Sequence, residues 1–135
     1  HKSGMLLGAY KHLTNEDKRY LRIELISNEA LKTSEIEGEY LDRDSLQSSI
    51  RRHFGLQVDN SRIKSAERGI TNLMIDLYNT YDTPLTHERL YHWHSMLMNH
   101  RRDLEYIGCY RGGNEAMQVV SGSIGDPKIH FEAPP

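Results

Sequence analysis

Residues 15–38 read NEDKRYLRIELISNEALKTSEIEG, and this stretch decides the fold. Leu21, Leu25, Ile26 and Leu31 recur at spacings of one to five, an apolar stripe on a helix. Asn15 can accept an amide hydrogen bond as the N-cap, with Glu16 and Asp17 favourably placed against the helix dipole. Gly38 suits the left-handed residue that closes a helix.

The pattern repeats downstream. Asp42 is a candidate N-cap for a helix carrying Leu46, Ile50 and Phe54 at spacings of four, closed by Gly55. Ser61 is a candidate cap for a third, with Ile63, Ala66, Ile70, Leu73 or Met74, and Leu77 on one face. Thr83-Pro84 breaks the chain, because the residue before proline is driven out of helical geometry. Thr86 then starts a fourth helix, with Leu90, Trp93 and Leu97 facing one way. After Asp103 the texture changes. Met117–Ser121 and the alternating Lys128–Glu132 read as strands, with turn residues over 123–127 between them. The predicted fold class is all-α with one β-hairpin, and such a hairpin alone is marginal in water.

Composition narrows the function. The chain has 135 residues, 17 basic against 19 acidic side chains and a net charge of -2. A nucleic-acid or membrane-surface binder normally carries a basic excess, so neither partner is expected. One cysteine permits neither an internal disulfide nor a Cys-x-x-Cys zinc site, and a cytoplasmic protein is expected. His92 and His94 point about 200° apart on a helix and cannot share a metal, so no metal site is expected. Cys109, among Tyr106, Ile107 and Tyr110, reads as a small buried hydrophobe. Arg51-Arg52 and Arg101-Arg102 lie near helix C-termini, where cations are favoured. The start at His1 without Met, and the stop at Pro134-Pro135 after a strand, fit either trimmed ends or a piece of a longer protein.

Two places break local rules. Glu35 and Glu37 lie at the negative end of a helix, opposing the macrodipole, which offers a carboxylate to some cation. The plainer explanation is a frayed end with solvated glutamates. The hairpin presents strand edges to which a partner strand can add, or else it packs on the helices as a structural flap.

At these places the chain resembles a known family. Thr33-Ser34-Glu35-Ile36-Glu37-Gly38 resembles the Ser/Thr-x-x-x-Glu-Gly/Asn inhibitory motif of Fic-family adenylyltransferases whose inhibitory helix precedes the Fic core. The surrounding run, on to Gln47–Leu56, looks like the N-terminal extension of many bacterial Fic proteins. Leu85–His94 resembles the first core helix. Val119-Val120-Ser121-Gly122 and Ile129-His130-Phe131 with the residues to Pro135 resemble the two arms of the Fic flap.

The resemblance implies an N-terminal extension over residues 1–60 and the start of a Fic core over 61–135. Such proteins transfer AMP from ATP-Mg to a Ser, Thr or Tyr hydroxyl of a target protein, through an HPFxxGNGRxxR-type motif. No such string occurs in these residues, so the resemblance makes the chain a regulatory piece of a longer enzyme. It implies no catalytic residue here, no activity alone, and no tight binding of ATP or Mg by this piece. Glu37 would pair with the second Arg of that motif, which otherwise holds the ATP γ-phosphate. Thr33 would position the helix end and Gly38 would turn the chain away. The flap residues Val119, Val120, Ser121, Gly122, Ile129, His130 and Phe131 would hold the target segment as an added strand. A homodimer is left open. The competing reading is a non-catalytic helical module that docks a partner strand on its hairpin.

Overall fold

A computed structural model describes residues 2–58, 63–123 and 125–134. These form helices α1 (Lys2–His12), α2 (Asn15–Ile36), α3 (Arg43–His53), α4 (Ser65–Thr80) and α5 (His87–Met98), then strands β1 (Met117–Ser123) and β2 (Asp126–Ala133). The fold is mostly α with one β-hairpin. No helix among the described residues is long and apolar enough to cross a membrane.

α2 is the longest helix, and α3 and α4 pack against it. Its N-cap is Thr14 rather than Asn15: the Thr14 hydroxyl oxygen accepts the Asp17 amide at 3.1 Å, and Asn15 is already the first helical residue. The buried face also differs from the sequence expectation. Ile23, Ile26, Ser27 and Ala30 point inward, whereas Leu25 is 56% exposed. Residues two apart on a helix point about 200° apart, so once Ile23 faces the core Leu25 cannot. Ser27 belongs on that face because its hydroxyl donates to the Ile23 carbonyl at 2.6 Å and leaves no unpaired polar group.

The core joins Ile23, Ile26 and Ala30 to Leu46 and Ile50 of α3 and to Ile70 and Met74 of α4. It draws on both sides of residue 60. Asp42 caps α3 as the sequence indicates, accepting the Ser45 amide at 3.0 Å. α4 begins without a side-chain cap; the expected cap, Ser61, lies outside the described residues. α5 starts at the Thr86 cap, and Arg89 fastens the turn before it by donating to the Thr80 and Thr83 carbonyls, both at 3.2 Å. α5 packs closely on α4 because Gly69 has no side chain: a Cβ there would lie 2.5 Å from the Met96 carbonyl oxygen. Leu90, expected on the packed face with Trp93 and Leu97, is 44% exposed.

Two histidines hold the segment after α5. The His94 Nδ1 accepts the Gly108 amide at 2.9 Å, and the His87 Nδ1 is hydrogen-bonded to the Tyr110 hydroxyl at 2.6 Å. Cys109, between these anchors, is exposed rather than buried.

The hairpin is antiparallel, with Val119 opposite Phe131 and Val120 opposite Ile129, so His130 is the extra residue of a β-bulge. The strands run further into the expected 123–127 turn: Ser123 pairs with Asp126. Ile124, within that turn, lies outside the described residues. Every strand residue except Ala133 is exposed.

Candidate functional site

The end of α2 is built by a Schellman closure. The Gly38 amide donates to the Glu35 carbonyl at 3.0 Å, and the Glu39 amide reaches back to Ser34 at 2.9 Å. The geometry requires a positive φ at Gly38, which is +81°. Glu37 is therefore the C-cap, with φ -84° and ψ 4°, one residue beyond the last helical turn in which the sequence alone placed it.

No cation occupies the last turn of α2. Glu35 is drawn to Lys32 at 2.6 Å, in an exposed i,i+3 pair. The Glu37 side chain is exposed and has no hydrogen-bond or ion-pair partner among the described residues. A carboxylate beside the unpaired carbonyls of a helix C-terminus is disfavoured by the dipole, and an incoming cation relieves both charges together.

Thr33, Ser34, Glu37 and Glu39 line a cleft of about 410 Å³. Leu41, Ala66, Ile70, Leu97 and Met98 give it apolar lining, and His100 and Arg101 add cationic or polar groups to it. Arg101 is engaged: its guanidinium grips Asp103 through two bonds, at 2.8 and 2.7 Å. That pair holds the Asp103 carboxyl down at about 2 and raises Arg101, to which Glu39 adds a smaller push in the same direction.

The inhibitory candidates thus divide. Thr33 and Glu37 share the cleft, while Gly38 shapes the backbone beside it without lining it. Val119, Val120, Ser121, Gly122, Ile129, His130 and Phe131 come together in the ribbon, and none of them lines this cleft. Within the ribbon Val119 faces Phe131 and Val120 faces Ile129, so the bulge puts one apolar pair on each side of the sheet. The Ser121 hydroxyl and the His130 Nε2 are hydrogen-bonded at 2.6 Å, which fixes the bulge, and Gly122 lies opposite Pro127. With only two strands in the sheet, both outer edges are unpaired among the described residues.

Sequence reasoning missed His100, Arg101, Leu97 and Met98 as cleft residues. Their place follows from how α5 crosses α4, and the signal for that crossing was Gly69, a glycine inside a helical pattern. Among the described residues, no three His, Cys, Asp or Glu side chains converge as metal ligands would.

Residues 1–56 match a family model described as a domain of unknown function (DUF4172). The match covers α1 to α3, and so contains Thr33, Glu37 and Gly38. No curated protein matches the chain.

Proposed function

We propose that this chain is the regulatory and target-docking part of a cytoplasmic Fic-type protein adenylyltransferase, in which Glu37 restrains productive ATP binding. The observation that carries the reading is the Glu37 carboxylate, unpaired among the described residues, at the C-cap of α2 and lining the cleft. The catalytic loop, with the ATP and Mg it binds, belongs to a longer polypeptide.

The physics of the restraint is competition for one guanidinium. An Arg that holds a phosphate oxygen also fits a carboxylate, through short, charge-assisted and bidentate bonds. While the Arg pairs with Glu37 it is withdrawn from the γ-phosphate, and the carboxylate repels that phosphate as well. The negative end of α2 strengthens the preference for a cation at this point. The ribbon supplies the second role. A target segment adds to a free strand edge through backbone hydrogen bonds, with the exposed pairs Val119–Phe131 and Val120–Ile129 available to its side chains.

The test is radiolabelled AMP incorporation by a protein carrying both this chain and an HPFxxGNGRxxR-type motif. A charge-assisted bond is worth about 1.5–3 kcal/mol, so Glu37→Gly is expected to raise incorporation about 10- to 100-fold. Equal incorporation by variant and wild type overturns the inhibitory role.

The open edges on both sides of the ribbon favour a second reading: a helical module that docks a partner strand without nucleotide chemistry. The coding sequence after Pro135 separates the two. An HPFxxGNGRxxR-type string supports the enzyme, and a stop codon or an unrelated domain supports the module.

A further inference from the structure

The Gly108 amide donates to the His94 Nδ1 at 2.9 Å, and that direction is forced, because a backbone N–H can only donate. Nδ1 therefore carries no proton, and His94 is neutral with its proton on Nε2. The contact is close. A Cβ at Gly108, where φ is +70°, would clash with the Ser95 hydroxyl and lie 3.2 Å from the Tyr91 carbonyl oxygen.

The neighbouring bond has a different character. His87 Nδ1 and the Tyr110 hydroxyl lie 2.6 Å apart, and a phenol can donate to a neutral imidazole or accept from a protonated one. Protonation reverses that bond without breaking it. At His94 it sets two N–H donors against each other, and the bond is lost.

Tyr91 lies one turn before His94, and the packed segment brings Cys109 and Tyr110 next to Gly108. Withdrawal from water, then Tyr110 and Glu88, holds the Tyr91 hydroxyl above its ordinary range, so it is uncharged near neutral pH. Glu88, beside His87 in the chain, is held below the usual carboxylate range, first by its own backbone amide, and stays charged. α4 lies on another side of α5: Trp93 meets Asp76 and Met96 meets Gly69, about 100° and 200° around the helix from His94. His92 likewise points about 200° away.

We infer that His94 is a pH-sensitive latch on the segment that follows α5. Neutral, it holds the Gly108 turn on the helix; protonated, it lets that turn go while His87 keeps Tyr110. Imidazoles ordinarily take up a proton near about pH 6.5, so the latch is closed above that range and opens as pH falls through it. Two anchors fix the direction of the segment leading to β1, and one leaves a pivot.

The test is NMR on this chain between about pH 7.5 and about pH 5. At the upper end the ring nitrogen spectrum of His94 is expected to show the proton on Nε2; a proton on Nδ1 overturns the inference. Once that spectrum shows the ring doubly protonated, the Gly108 amide is expected to lose about tenfold in protection from hydrogen exchange, relative to an unstructured chain at the same pH. The Leu46 and Ile50 amides of α3 are expected to keep theirs. A ring that stays neutral throughout, a Gly108 amide still protected beside a protonated ring, or loss that spreads to α3, each overturns it.

His94→Asn places a carbonyl oxygen near the position of Nδ1 and cannot take up the proton. This variant is expected to protect Gly108 equally at both ends of the pH range. If it shows the wild-type loss in acid, another group is the switch and the role of His94 falls.

Discussion

The indole N–H of Trp93 donates to the Asp76 carboxylate at 2.7 Å and ties α5 to α4. Both groups are partly buried, so removing the acceptor strands a donor away from water. Asp76→Ala is expected to lower stability by about 1.5–3 kcal/mol, the range for a hydrogen bond to a charged group. Urea unfolding followed by the emission of the chain's one tryptophan checks this, with the midpoint falling and the slope unchanged.

Gly69 gives a prediction of reversed sign. Inside a helix, replacing glycine by alanine ordinarily stabilises by about 0.5–1 kcal/mol. Here the added Cβ would lie 2.5 Å from the Met96 carbonyl oxygen, and α5 must move away. Overpacking of this kind costs about 1–3 kcal/mol, which exceeds the gain. Thermal unfolding of Gly69→Ala is expected to show a lower Tm; a raised Tm contradicts the close approach of the two helices.

The Arg101–Asp103 pair sets an acid-range dependence. Its hydrogen bonds to Arg101 are the main reason the Asp103 carboxyl falls from 3.8 to about 2. A depressed carboxyl favours the folded state above the unfolded value, and that contribution is lost as pH falls from about 4 through 2. Both side chains are substantially exposed, so the effect on overall stability is small. Carboxyl NMR titration is expected to place Asp103 near 2, and Arg101→Ala to bring it back towards the ordinary aspartate range.

The hairpin has no buried face of its own. Val119, Val120, Ile129 and Phe131 are all at least half exposed. Isolated two-stranded ribbons are marginally stable, so the amides of β1 and β2 are expected to exchange at least about tenfold faster than those of α3. Deleting residues 117–133 is expected to leave the Tm of the helical part unchanged. A large fall in Tm would mean that the ribbon stabilises the helices.

Helix positions were legible because caps and closures are local. Asp42, Thr86, Gly38 and Gly55 each act within a few residues, and each stands where its chemistry indicates. The strands were legible from alternation around the turn. Which helical face turns inward was less so: Leu25 and Ile23 are equally apolar, and contact with Leu46, Ile50 and Met74 chooses between them. α1 gave no periodic signal, and Met5, Leu6 and Leu7 are all exposed on it. At the site, Glu37 stood out because it violates the dipole rule. His100 and Arg101 did not, because only the crossing of α5 over α4 brings them to the cleft.

Two edges left unpaired among the described residues have a geometric consequence. A sheet with one open edge that meets a second copy is finished, since the pairing consumes the only edge each brings. A ribbon open on both sides presents a fresh edge after every addition, so growth proceeds as a linear series without a closing step. Concentration therefore governs how far such a series extends, and any strand that seats on one edge acts as a chain terminator on that side.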